Sequence, residues 1–474
     1  MKRVTSPLKD KITSSMLIQG ICFTLCFFAF QITEFTVNDR ASAMLGADSV
    51  IYVYSVGILF TAIGFLSFAL IRKVFHSENA RKTSLCVVGA VAVVSAVAVI
   101  ISKNDIMFLF SSMLALLSLG SISGCVYYNC AMTFSGKRYT GRVIGVGMGV
   151  AVLLQFLVQN FMLTSAAYIV SVTASVGVLV YFVIKPPKDW MFENPLPYSS
   201  DNKTNRKAAW VLIAAVVLMS FICALLDGVV MPAHAQEKTS VSDYVRLFYA
   251  VSLIGAGFIA DIKERRLLPL FTVCFMFLST VSSAFFGNAV TYWVGTAFIY
   301  IFSGFYVIFL TVLFLDFAPK SKSPALWAGM GRTMRSITIG VATIPASICY
   351  KSFGNISLVV GSCVLSVIAL LILIRSISAA FVQPQKAEAP REPQSVSVSK
   401  DEMIKLYSQT YGLTPRETEV LERLLKNDDS LQEIADKLII SRRVLQRYIT
   451  DIYEKTSTKT RIGLFQNFHS FCVR

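Results

Sequence analysis

The sequence predicts an all-α protein: a polytopic membrane bundle of twelve transmembrane helices, six plus six, followed by a small C-terminal domain of four short helices. Three observations predict it. Of the 474 residues, 55% are hydrophobic and only 15% charged, where soluble domains carry about 25% charged residues; mean hydropathy is +0.62. Apolar runs of about 20 residues, the length that crosses a bilayer, recur as far as residue 376. After that point the chain turns abruptly polar, and signals for short amphipathic helices begin. Together these exclude a disordered chain, a coiled coil and an ordinary soluble enzyme.

The spans are read at 15–34, 50–71, 84–102, 106–134, 143–161, 164–184, 208–232, 242–261, 267–286, 289–315, 325–348 and 354–376. Loop charge orients them. With the N-terminus inside, 24 of the 29 Lys and Arg up to residue 376 fall on the cytoplasmic side; only Arg40, Lys103, Lys238, Arg246 and Lys351 fall outside. That bias puts both termini in the cytoplasm and surrounds the bundle with membrane lipid. It also locates the net charge of +16, nearly all of which belongs to the spans and their loops. The first run follows basic residues but no small-residue cleavage site, so it reads as a retained helix.

The ten Cys are scattered through apolar runs without a CxxC, and the three His (76, 234, 469) form no ligand or triad pattern. No P-loop, HExxH or G-x-S-x-G is present. The sequence therefore gives no metal site, no cofactor and no enzyme. Gly141, Gly145 and Gly149 lie four apart near the start of span five; with no strand before them, they read as close helix packing in lipid.

The longest polar stretch between spans, 185–207, divides the bundle into halves. Gly257-Phe-Ile-Ala-Asp261-Ile-Lys-Glu-Arg265-Arg266 lies between spans eight and nine. Layout and loop together resemble the major facilitator superfamily, whose G-x-x-x-D-…-R-R loop braces neighbouring helices. The corresponding loop 72–82 lacks the Gly and the Asp.

Residues 383–399 are rich in Pro, Gln and Ser with almost no large apolar side chain, and read as linker. The domain boundaries drawn are 1–376 for the bundle, 377–409 for the linker and 410–474 for the C-terminal domain. In that domain Thr414-Pro415-Arg416-Glu417 is a capping box with Pro at the first helical position, and Ser430-Leu-Gln-Glu433 is a second. Ser441 and Thr460 can cap two more helices. Val420, Leu421, Leu424 and Leu425, then Ile434, Ala435 and Leu438, then Leu445, Ile449 and Ile452 repeat at helical spacing. A turn at 438–440 joins the second and third helices, as in a helix-turn-helix. Once the apolar residues of the third helix go inward, Arg442, Arg443, Gln446, Arg447 and Thr450 are left on one polar face. Such side chains suit phosphates and base edges, although a solvated basic face is the plain alternative.

Leu413-Thr-Pro-Arg-Glu417-x-Glu419-Val-Leu421, Glu433-Ile-Ala-Asp-Lys-Leu438, Ile440-Ser441, Lys455 and Arg461 resemble the LuxR-type helix-turn-helix. The resemblance implies double-stranded promoter DNA as partner and a third helix that reads it, with Lys455 and Arg461 among the DNA-binding residues. It also implies a fourth helix, 461–471, offering Leu464, Phe465 and Phe468 to a homodimer contact. Where the family usually has Thr-Val-Lys-x-His, this chain has Val444-Leu445-Gln446-Arg447-Tyr448, which bears on the DNA sequence recognised.

Charges inside spans are costly and mark functional sites. Glu34, Asp227 and Arg246, with Tyr249, are candidates for lining a cavity that senses a small molecule; mutual neutralisation of Asp227 and Arg246 is the alternative. Arg332 and Arg335 read as snorkelling from the inner end of span eleven. The sequence thus points to a membrane-embedded one-component transcription regulator of the bacterial inner membrane. Its bundle senses a small molecule and its tail binds promoter DNA. The alternative is a secondary transporter with a regulatory DNA-binding tail.

Overall fold

A computed structural model describes residues 14–75, 77–134, 137, 139–161, 164–185, 202–235, 242–262, 265–283, 289–354, 360–368, 371, 400–426, 431–458 and 460–472. The chain divides into two compact units, Met1–Val382 and Gln383–Arg474.

The first unit is a helix bundle: α1 (Ser14–Leu45), α2 (Val50–Val74), α3 (Glu78–Ile101), α4 (Asp105–Phe134), α5 (Thr140–Phe161), α6 (Ser165–Ile184), α7 (Asn202–Ala235), α8 (Ser242–Ala260), α9 (Leu267–Ser283), α10 (Ala289–Phe317) and α11 (Pro324–Phe353). Residues 360–368 form a further helix, α12. Among the described residues eight helices are long and apolar enough to cross a membrane, and Tyr244–Ala260 and Leu267–Ser283 are shorter apolar helices. Of the expected twelfth span, 354–376, only 360–368 and 371 are described beyond Gly354, and both are helical. The exact number of spans expected from the sequence is therefore not established.

Local signals set several helix starts. Ser77 accepts the Ala80 N–H and Thr164 the Ala167 N–H, capping α3 and α6. Pro324 begins α11, where its missing N–H costs no helical bond. In lipid, helices gain little from apolar burial against one another, so close approach and polar contacts carry the packing. The main contacts between the first six helices and the later ones are α2 with α11 and α5 with α8.

The α5–α8 contact uses the glycines anticipated from the sequence. A Cβ on Gly145 would sit 2.6 Å from the Leu253 carbonyl and 2.7 Å from the Gly257 Cα, and one on Gly141 would sit 2.5 Å from the Gly257 carbonyl. Backbone lies against backbone, so no side chain can give way.

The Gly257–Arg266 loop braces this contact. The Asp261 carboxylate, fully buried, accepts the N–H groups of Gly141 at 2.8 Å and Arg142 at 2.9 Å, at the start of α5. Those are orphan donors at the positive end of a helix dipole. Arg265 donates to Asp261 Oδ1, the oxygen that also accepts from Gly141, to the Ala260 carbonyl at 2.9 Å, and to Asp316 of α10 at 2.9 Å. The corresponding loop at 72–82 lacks the Gly and the Asp and is held differently: Arg72 lies 4.2 Å over the Tyr128 ring, and Arg81 donates to the Phe75 carbonyl at 2.6 Å.

Asp261→Ala strands two backbone donors and leaves Arg265 with Asp316 as its one carboxylate partner among the described residues, a loss of about 3 kcal/mol for a broken buried pair. Thermal unfolding of the detergent-solubilised protein is expected to show a clearly lower midpoint. Asp261→Asn, whose amide oxygen still accepts from α5, loses less.

Candidate nucleic-acid interface and interior charges

The C-terminal unit contains α13 (Lys400–Thr410), α14 (Pro415–Lys426), α15 (Leu431–Lys437), α16 (Arg442–Lys455) and α17 (Arg461–Cys472). The linker read to residue 409 ends earlier in the structure: α13 is helix, and its Ile404 and Tyr407 are buried in the domain core. The linker stretch 383–399 itself lies outside the described residues. The core is otherwise the set spaced for it: Val420, Leu421, Leu424, Leu425, Ile434, Ala435, Leu445, Ile449 and Ile452, closed by Leu464 and Phe468.

The anticipated caps form where they are described. Thr414 Oγ1 accepts the Glu417 N–H at 3.3 Å while Glu417 Oε2 accepts the Thr414 N–H at 2.6 Å, a reciprocal capping box. Ser441 caps α16 through the Val444 N–H, and Thr460 caps α17 through the Gly463 N–H. Ser430 lies outside the described residues.

The turn between α15 and α16 has a definite geometry. The Ile440 N–H reaches the Ala435 carbonyl and the Ile439 N–H the Asp436 carbonyl, the paired bonds of a Schellman motif. Its left-handed position is occupied by Ile439, at φ 55° and 92% exposed, where glycine is usual. A β-branched residue there is strained.

This turn and the Ser441 cap set α16 with Leu445, Ile449 and Ile452 inward. Arg442, Arg443, Gln446, Arg447 and Thr450 are all exposed and line one open groove. Two other residues anticipated at the DNA surface are occupied within the domain. Lys455 Nζ lies 2.7 and 2.9 Å from the two Glu417 carboxylate oxygens, tying the start of α14 to the end of α16. Arg461 donates to the Leu424 carbonyl at 3.1 and 3.3 Å. On α17, Leu464 and Phe468 are buried rather than offered outward, because α13 lies over them: Tyr407 meets Phe468 edge-on at 5.2 Å. Asn467 joins three helices, accepting from Tyr407 and Tyr411 and donating to the Thr456 carbonyl.

Residues 412–466 match the family model of bacterial regulatory proteins of the luxR family, GerE. The C-terminal unit carries a LuxR-type helix-turn-helix domain. The matched residues include α14, α15 and α16, so the exposed five-residue polar face lies within the matched domain. The match covers this domain only, and no curated protein matches the chain.

The bundle brings charges together in its interior. Glu34 (α1) lies within electrostatic range of Asp227 (α7), Arg246 (α8), Arg332 and Arg335 (α11), and Tyr249 within range of Glu34. Asp227 accepts the Tyr54 hydroxyl at 3.1 Å, while Arg246 donates to Gln159 at 2.7 Å and sits 5.1 Å over the Phe35 ring. Asp227 and Arg246 therefore each have a nearer partner than one another. Glu34 and Tyr54 line a narrow cavity with Phe30, Asn38 and Leu116.

The snorkelling read for Arg332 and Arg335 does not hold. They lie about two and three turns into α11, roughly 12 and 17 Å from its start. Arg332 is 8% exposed, donates to the Tyr127 hydroxyl at 2.9 Å and lies 5.1 Å over the Phe27 ring. One signal was available in the sequence: Gly329 and Gly331 immediately precede Arg332, and small residues mark a helix face packed on protein rather than lipid.

Among solved structures, the crystal structure of the human organic anion transporter MFSD10 (TETRAN) is similar to this chain over 77% of its length and 99% of that chain, at 12% identity and TM-score 0.55. The likeness gives the bundle a major-facilitator-like fold. The protein is a multi-pass membrane protein with a LuxR-type domain at its C-terminal end.

The Glu417–Lys455 pair sets a pH dependence. Burial works to raise the Glu417 carboxyl, but the Lys455 ammonium and Thr414 outweigh it and hold the carboxyl below the usual carboxylate range. A carboxyl lowered by folding contributes stability above its unfolded value of about 4.3 and loses that contribution as pH falls through the folded value. In urea unfolding of residues 400–474, Glu417→Gln is expected to cost about 1–2 kcal/mol near neutral pH. The difference from the unaltered domain should close below about pH 4.

Proposed function

We propose that this protein is a membrane-embedded one-component transcription regulator. Its bundle binds a small molecule, and its cytoplasmic LuxR-type domain binds promoter DNA as a homodimer. The observation that carries the reading is the exposed face Arg442, Arg443, Gln446, Arg447 and Thr450, held outward on a capped helix in the same chain as a bundle with interior charges. Long basic and amide side chains supply both phosphate and base-edge contacts, and Gln446 can pair bidentately with adenine. The two domains point to a non-enzymatic role.

The placement is the bacterial inner membrane, with both termini cytoplasmic, because the loop charges favour that orientation and a reader of the chromosome must face the cytoplasm. The homodimer contact would use surfaces other than Leu464 and Phe468, which are spent in the core. Lys455 would serve recognition by holding the reading helix to α14, and Arg461 by tying α17 to α14, rather than by touching DNA.

The second reading, a working secondary transporter with a regulatory tail, draws support from the Asp261 brace and the interior charges, both of which suit a bundle that changes conformation. A ligand that drives regulation must bind one bundle state better than the other.

Arg443→Ala with Arg447→Ala, made in residues 400–474, tests DNA recognition. Fluorescence anisotropy with mixed-sequence duplex DNA should show affinity falling by roughly tenfold or more. The slope of log affinity against log salt should shrink by about 2. Unchanged affinity and slope would remove α16 as the reading helix.

A further inference from the structure

The interior cluster is unbalanced in charge. Two carboxylates, Glu34 and Asp227, stand with three guanidiniums, Arg246, Arg332 and Arg335. A buried cation without a matching anion is expensive, and proteins compensate it with hydrogen bonds or an opposite charge. Arg246 has such partners. Among the described residues Arg332 and Arg335 form no ion pair. Arg332 spends its Nε on Tyr127, and its Nη2 is buried with no hydrogen-bond partner. Arg335, one turn further along α11, has a buried Nε with no partner. Of the two carboxylates in its field, Glu34 and Asp227, neither forms an ion pair with it, and Asp227 Oδ2 accepts the Tyr54 hydroxyl. The structure therefore contains guanidinium donors from adjacent turns of one helix, dehydrated and unfilled.

We propose that Arg332 and Arg335 clasp the carboxylate of an organic acid with an apolar body. A planar guanidinium matches a carboxylate fork to fork, and two of them one turn apart fit a single carboxylate better than a point charge. The surroundings favour an apolar body. Phe27 stacks on Arg332, and Tyr249 and Tyr306 stand in the field of the same two arginines. Occupation supplies the missing negative charge and fills the orphan donors. It also links α11 through the ligand to α1 and α4, which hold Phe27 and Tyr127. This inference rests on the reading of the bundle as a ligand-binding domain and names the ligand class.

The test uses the full chain in detergent and reads thermal unfolding with two acids and their neutral amides: 3-phenylpropionate as a soluble acid and oleate as a lipid-derived one, against 3-phenylpropionamide and oleamide. At least one acid should raise the midpoint by roughly 5 °C at saturation, with no effect of its amide. Which acid acts decides between a soluble and a lipid source. Arg332→Gln and Arg335→Gln should each abolish the shift, while leaving the ligand-free midpoint unchanged or higher, since each removes an uncompensated buried charge. Equal shifts from acid and amide, no shift from either acid, or a steep loss of ligand-free stability in both variants would overturn the proposal. A reporter gene driven by a promoter bound by the protein separates the two readings. If an acid shifts the midpoint but never the reporter, sensing fails and the ligand class stands. If only molecules that are not acids move the reporter, the class fails and sensing stands.

Discussion

The bundle depends on one carboxylate. Asp261 sits in the loop after α8, yet its oxygens end the backbone of α5, satisfying two N–H groups that no helical carbonyl can reach. Arg265 neutralises the same carboxylate and passes the connection on to Asp316 at the end of α10. Contact of backbone with backbone at Gly141, Gly145 and Gly257 brings the donors to the acceptor. In lipid, where no water stands in for a missing partner, these features require one another: the carboxylate needs the close approach, and the close approach leaves helix ends that need the carboxylate. In the first half, loop 72–82 has no Asp at the matching place, and Arg72 meets an aromatic ring and Arg81 backbone carbonyls. The α5–α8 contact thus carries a buried, charge-based lock.

The C-terminal unit solves the opposite problem. It is small and solvated, so its helix ends must be finished locally. Left-handed residues close three of its helices: Gly412 after α13, Ile439 after α15 and Ser457 after α16. Each is accompanied by the paired bonds of a Schellman motif. With its ends fixed, α16 has one rotational setting, apolar side inward, and the five polar side chains are exposed as a consequence. Glu417 and Lys455 add a charged tie between the helix that opens the domain's core and the end of the helix that carries this face.

Much of this was legible in the sequence because it is local. The capping box at Thr414, the caps at Ser441 and Thr460, and the apolar spacing of α14 to α16 each involve residues a few positions apart. The span pattern was legible because lipid imposes length and apolarity directly. What escaped depends on distant partners. Helix α13 begins Lys400-Asp-Glu, with no apolar run to announce it, and is ordered by Phe468, Phe471 and Asn467 more than fifty residues later. Lys455 and Arg461 entered as DNA-binding residues through the family resemblance, and nothing in the sequence announces the Glu417 carboxylate and the Leu424 carbonyl that they meet within the domain. Arg332 and Arg335 read as snorkelling because hydropathy places a charge by its distance from the end of a run and ignores what surrounds that end. Tyr54 and Tyr127, which hold Asp227 and Arg332, carry no sequence signal of their own.

In the proposed regulator one polypeptide joins lipid-buried helices to a reader of the double helix, so the reader must share a compartment with the chromosome. The most direct measurement fuses two topology reporters after Arg474 in intact bacteria: green fluorescent protein, which folds to a fluorescent form in the cytoplasm, and alkaline phosphatase, which is active only beyond the inner membrane. The account predicts a fluorescent fusion and an inactive phosphatase. An active phosphatase with a dark fluorescent fusion would place the domain where it could never meet promoter DNA, and would contradict it.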